Sequence, residues 1–147
     1  MLISRPTKFT YALRAILDLA LREPSSPVKT QRIASAQAVP HRFLEIILSE
    51  LRKGGFVESR RGNDGGYFLA RPPEAITLGQ VIRFLEGHKQ SHSPASHQGN
   101  LARDQSLIPV WKRVNDAVFD ILDETTFADL AREELARRKQ YVPDYAI

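Results

Sequence analysis

The stretch "HRFLEIILSELRKGGFVESRRGNDGGYFLA", residues 41–70, decides the fold. Its first half sets Phe43, Leu44, Ile47, Leu48 and Leu51 at helical spacing, which predicts a helix with those five side chains facing a core. Arg52 and Lys53 fall in the last turn, where cations complement the helix dipole, and Gly54–Gly55 is a natural stop. The second half then changes period. "FVESR" alternates apolar and polar residues, "GYFLA" resumes the alternation, and the segment between them is basic and glycine-rich. A helix followed by two short strands around a cationic loop is the latter part of a winged helix-turn-helix.

The flanking sequence completes that outline. "TKFTYALRAILDLALRE" predicts an amphipathic helix with Thr7 at its N-cap and Phe9, Leu13, Ile16, Leu17, Ala20 and Leu21 on its apolar side. "PSSP" at 24–27 ends it. "TQRIASAQA" reads as a shorter helix with Ile33 and Ala34 inward, and about three residues separate it from the next, with Pro40 suited to that helix's first turn. After the wing, "RPPEAIT" is a turn and "TLGQVIRFLEG" a capped helix that closes the head near Gly87.

Residues 88–105, "HKQSHSPASHQGNLARDQ", have almost no apolar content and read as a linker. From Ser106, a suitable N-cap, Leu107, Trp111, Val114, Val118 and Ile121 recur at steps of four and three, the spacing of a coiled-coil seam. A lone helix cannot cover such a seam, so it points to a second copy, although a core within one chain would need the same pattern. A Thr-capped helix over "TTFADLAREELARRKQ" follows, and the last residues read as frayed. The expected architecture is mainly α: a winged helix-turn-helix domain with a two-stranded wing over 1–87, a linker over 88–105, and a dimerisation helix with a C-terminal helix over 106–147.

Charge and composition narrow the function. Of 147 residues, 42% are hydrophobic and 26% charged, the balance of a folded globular chain. Residues 1–90 carry fourteen Lys and Arg against eight Asp and Glu, whereas 91–147 carry seven against nine. A basic front with a slightly acidic back suggests that the front meets a polyanion. The absence of cysteine excludes disulfides, thiol catalysis and thiolate metal sites. No apolar run approaches the roughly 20 residues of a membrane span, and the start lacks a signal-peptide core, so a cytoplasmic location without membrane association is the default. No nucleophile elbow, His-Glu metal motif or phosphate-binding loop is present, so the chain does not read as an enzyme.

The second helix of a helix-turn-helix directs its N-terminal residues at base edges in the major groove. Here these are His41, Arg42 and Glu45, on one side of the helix just after Pro40. Arginine can bond guanine and glutamate can accept from cytosine, while His41 could reach a base edge or a phosphate. Arg60 and Arg61 bring charge to the wing, Gly62, Gly65 and Gly66 let its backbone adopt positive φ and approach a duplex, and Tyr67 follows on the returning strand. Lys8 and Tyr11 are candidate phosphate clamps. Taken singly, each has a bland reading: "GNDGG" is a hairpin turn, and Arg42 with Glu45 is a solvated helix face. Their order along the chain makes the case for double-stranded DNA.

"YALRAILDLAL", "FLEIILSELRKGGFVESRRGNDGGYFLARPPEAITLGQVIRFLEG" and "TTFADL" resemble the bacterial winged-helix regulators typified by IscR, NsrR and CymR, over roughly residues 5–135. The resemblance implies a homodimeric transcription regulator, its long helices crossed so that two heads meet a palindromic promoter site. It places Glu45 and Arg61 on residues that read or clamp DNA, and Thr7, Lys8 and Tyr11 on an N-terminal phosphate-contacting stretch. The iron–sulfur members carry three cysteines before the dimer helix. This chain has none, so it resembles the cluster-free members, with no cofactor and with a small-molecule or protein effector left open. His88, His92 and His97 in the linker could offer imidazoles to zinc, copper or nickel, against the simpler reading of a solvated linker. Two alternatives to a DNA-binding repressor stand beside it: a winged-helix module that docks a partner protein, and a metal-responsive regulator using those histidines.

Overall fold

The computed structural model describes residues 7–22, 26–87 and 105–140. Helix α1 (Thr7–Leu21) is the hub, packed against α2 (Thr30–Gln37), α3 (His41–Lys53), α4 (Leu78–Gly87) and α6 (Phe127–Gln140). Being surrounded, it buries more than one stripe. Ala12, Ala15 and Leu19 join Phe9 and Ile16 in the core, while Leu13, Leu17 and Ala20 are only partly covered. Asp18 is buried too, and its carboxylate accepts from Arg22 Nε at 2.7 Å and Gln37 Nε2 at 3.1 Å. Those donors offset the desolvation a buried charge would otherwise suffer.

Three residues join α2 to α3, and the turn is closed by Ala38, whose φ of 52° is left-handed and whose N–H donates to the Ala34 carbonyl. Pro40 precedes α3 at its N-cap position rather than entering its first turn. Leu44, Ile47, Leu48 and Leu51 form the buried side of α3 as the spacing predicts. Phe43 does not join them. It is 60% exposed, because at about 100° per residue it falls beside that stripe rather than on it.

The wing is an antiparallel pair, β1 (Val57–Arg60) with β2 (Gly66–Leu69), in register Val57 to Leu69 and Arg60 to Gly66. A further backbone pairing comes from the connection between α1 and α2. The Val28 N–H donates to the Tyr67 carbonyl at 2.8 Å, and the Tyr67 N–H donates back at 2.9 Å. The loop end of the wing hairpin is thereby tied to the segment that leads into the helix-turn-helix.

After a 3-10 turn at Pro73–Ala75, two reciprocal caps lie side by side. The Gln80 N–H donates to Thr77 Oγ1 and the Thr77 N–H to Gln80 Oε1, both at 3.1 Å, starting α4. The Asp129 N–H donates to Thr126 Oγ1 at 3.0 Å and the Thr126 N–H to Asp129 Oδ2 at 3.1 Å, starting α6. Each is a capping box satisfying helix-end N–H groups. Between them the Leu78 N–H donates to the Thr125 carbonyl and the Phe127 N–H to the Ile76 carbonyl, both at 3.0 Å. Ile76 and Phe127 are fully buried there.

Helix α5 (Ile108–Glu124) begins two residues after Ser106. Leu107 takes the N-cap position without a side-chain cap, and Pro109 sits in the first turn, where no N–H is needed. Near its C-terminal end α5 meets the head. Phe119 is buried in the same core as α1 and α3, and Arg83 of α4 lies over its ring at 4.4 Å. Arg83 also donates to both Asp123 oxygens, at 2.5 and 2.7 Å. The linker residues 88–104 and the last seven residues, including the expected fraying there, lie outside the described residues.

Gly79 belongs to this junction, since a Cβ there would overlap the Asp123 carboxylate. Gly79→Ala is therefore expected to lower the urea midpoint, and a further Asp123→Ala to restore part of the loss. Equal midpoints for the single and double variants would refute this close approach. The hydrogen bond from Arg83 holds the Asp123 carboxyl below its ordinary value. The tie is thus complete above the usual carboxylate range and is lost only as pH falls through the lowered value.

Candidate nucleic-acid interface

Two elements present the predicted contact residues. On α3, His41, Arg42 and Glu45 are all exposed, with His41 Nδ1 3.6 Å from Glu45 Oε1 across one turn. On the wing, Arg60 and Arg61 are exposed, and the Arg60 guanidinium lies 5.8 Å from the centre of the Phe68 ring. Arg52 Nη1 donates to Ser59 Oγ at 2.9 Å, linking the end of α3 to β1. Among the described residues, Arg42, Lys53 and Arg61 have no ion-pair partner, so their charge is available to an external anion.

The N-terminal candidates are placed differently. Thr7 is exposed at the first described turn of α1, where it begins the helix. The Lys8 ammonium is held by Glu50 of α3, 3.0 Å from Oε1 and 2.8 Å from Oε2, so its charge is neutralised within the head. Tyr11 is half-buried against the core.

The wing glycines separate into two kinds. Gly62 has φ of 111° with open space around it, which is the freedom the sequence predicts. Gly65 is buried and does not adopt positive φ. A Cβ there would strike the Arg60 carbonyl, so space rather than rotation requires the glycine. Gly66 has φ of 151°, and its Cβ would collide with the Val28 backbone that pairs with Tyr67. Tyr67 is half-buried beside it. Only Gly62 is open to a ligand in the manner the loop suggests.

Sequence periodicity missed one feature of α3. Phe43 and Ile46 are 60% and 59% exposed, on the element that also carries Arg42 and Glu45. Their i, i+3 spacing was the available signal.

Comparison with known proteins fixes the class. Residues 5–133 match the Rrf2 model, described as an iron-dependent transcriptional regulator. The chain belongs to the Rrf2 family. The HTH-type regulator CymR of Bacillus subtilis is 35% identical over 136 residues, 92% of this chain and 95% of CymR. The solved structure of CymR, titled the global cysteine regulator of B. subtilis, superposes with a TM-score of 0.71 at 36% identity, covering 89% of this chain and 98% of that one. IscR of T. potens gives 0.74 at 33% identity, covering 97% and 95%. A DNA-binding transcription regulator with a winged-helix fold is what these likenesses and the architecture establish together.

The iron in the family's description does not carry over through thiolates. No cysteine exists in the 147 residues to ligate an iron–sulfur cluster. Among the described residues no three His, Asp or Glu side chains gather as a metal site, while His88, His92 and His97 lie outside them. No described helix is long and apolar enough to cross a membrane.

The two kinds of glycine predict different costs. Gly66→Ala, with both strain and overlap to relieve, and Gly65→Ala, with backbone overlap alone, should each destabilise the fold by roughly 2 kcal/mol or more, and Gly62→Ala by about 1 kcal/mol. Urea denaturation measures the series, and equal losses at all three positions would contradict it.

Proposed function

We propose that the chain is a sequence-specific homodimeric repressor that binds a palindromic promoter site and works without an iron–sulfur cluster. The observation that carries it is the pairing of an exposed recognition surface with an uncovered seam. His41, Arg42 and Glu45 lie open on α3, next to a wing bearing Arg60, Arg61 and Gly62. On α5, Trp111 is 56% and Ile121 66% exposed, with Leu107 also exposed and Val114 and Val118 only half covered by their own chain. Ile108 and Val110 widen the apolar face beyond the predicted seam. A second α5 is the occupant favoured by the four-and-three spacing, because identical seams cover each other.

In this reading 1–87 is the reading head, onto which α6 packs, and 106–147 supplies the assembly helix α5, joined through 88–105. Arg42 bonds guanine, Glu45 accepts from cytosine, and His41 reaches a base edge or a phosphate. Pro40, Thr7, Tyr11 and the Gly62 backbone line the phosphate path, with Arg60 and Arg61 supplying charge. Gly65, Gly66 and Tyr67 shape the wing from behind, and Lys8 contributes only by leaving Glu50. The signal is a small molecule or a protein partner that alters how the two heads are held.

Fluorescence anisotropy on duplexes selected by the protein tests the assignment. Arg61→Ala should weaken every sequence alike and reduce the salt slope by about one, whereas Glu45→Ala should relax base preference at one position. Binding that does not discriminate selected from bulk DNA at physiological salt would overturn the assignment, since specific sites are typically about 10³-fold tighter or more. Light scattering tests the seam. Ile121→Glu or Trp111→Glu should give a monomer with much weaker operator binding, and a monomeric wild type would remove the homodimer from the proposal.

A further inference from the structure

Phe43 and Ile46 are the only large hydrophobic side chains strongly exposed on the described part of the head. The other six exposed ones lie at 107 or beyond, on α5, its N-cap and α6. They stand at i and i+3 on α3, one turn apart, so their side chains form a continuous apolar spot. Phe43 lies in the first turn of the helix, the part that a helix-turn-helix brings closest to base edges. Exposed Arg42, at i−4 from Ile46, and Lys53, at i+7, share its side of the helix, and the charge of Glu50 on that side is taken up by Lys8. An apolar spot flanked by unpaired cations fits a partner whose own apolar groups are embedded in a field of negative charge. The major groove of DNA offers such groups in the thymine C5-methyls, flanked by phosphates.

We infer that Phe43 and Ile46 read thymine methyl groups in each operator half-site, beside the base pairs contacted by Arg42 and Glu45. The inference rests on the DNA-reading assignment above and adds a second recognition chemistry to it. Hydrogen bonds from Arg42 and Glu45 select guanine and cytosine, while the apolar pair selects the one base whose major-groove edge ends in a methyl. It also accounts for their exposure in the unbound head. Two side chains of this size are free to lose water to a methyl only when the helix enters the groove.

Deoxyuridine isolates the claim, because it removes the C5-methyl of thymine and leaves the pairing edge intact. Duplexes are first selected by the full-length protein from a randomised library, then each thymine is replaced singly by deoxyuridine and binding is measured by anisotropy at about 0.15 M salt. The wild type should lose about fourfold in affinity at one or two positions per half-site, the loss appropriate to one contacted methyl. Phe43→Ala and Ile46→Ala should each abolish the sensitivity at one such thymine while leaving the others unchanged. Ile46→Gln serves as a second variant that keeps a long side chain without the apolar tip. Unaltered salt-dependent binding to random-sequence duplex shows that a variant head is folded. Specific selection combined with indifference to deoxyuridine overturns this inference alone, as does an equal penalty in wild type and variants. Failure to select any sequence overturns it together with the DNA-reading assignment.

Discussion

The pairing of Ile76–Leu78 with Thr125–Phe127 governs how the rest of the molecule is arranged. Two backbone hydrogen bonds join the segments, a capping box starts a helix on each, and Ile76 and Phe127 are buried beneath them. Because α4 and α6 both start at this point, the direction in which α5 leaves the head is set here. Arg83 reinforces it by gripping Asp123 while covering Phe119. Exposed ion pairs of this kind add little energy by themselves. Their contribution is to select one orientation of helices that the buried aromatics already hold together.

α5 therefore has two jobs on two faces. Phe119 and Leu122 turn toward its own head, and Trp111 and Ile121 turn away from it. In the proposed homodimer, a single helix that is core on one side and uncovered on the other would link the stability of each head to the presence of a partner. Folding and assembly would then share one equilibrium, and apparent stability would rise with protein concentration.

Much of this was legible in the sequence. Regular periods revealed the helices and the wing, and the Thr77 and Thr126 boxes were readable because capping chemistry is local. What escaped was set by tertiary surroundings. The Val28–Tyr67 rung is a single bridge with no period of its own, and together with the φ of 151° there it explains why residue 66 must be glycine. The burial of Asp18 has no signal of its own, because a one-sided pattern cannot show that α1 is enclosed on several sides. Phe43 was placed in the core for the opposite reason: apolar character was taken as inward direction on a helix whose outer face also carries apolar residues. Phe119 was passed over because the seam at 107–121 accounted for α5 with a different set of positions. In the interface, the cations and Glu45 were predictable from charge and helix position. That Lys8 is already engaged by Glu50 was not, since the two lie far apart in the chain.

The Val28 rung has a mechanical consequence. By fastening the loop end of the hairpin to the segment between the first two helices, it makes finger and reading helix one stiff body. A ligand that tilted the finger alone would have to break both backbone bonds to Val28 and open a gap above Gly66. In the proposed homodimer, control is cheaper at the handle, where changing the span or angle between two unchanged heads would put one of them out of step with the turn of the double helix.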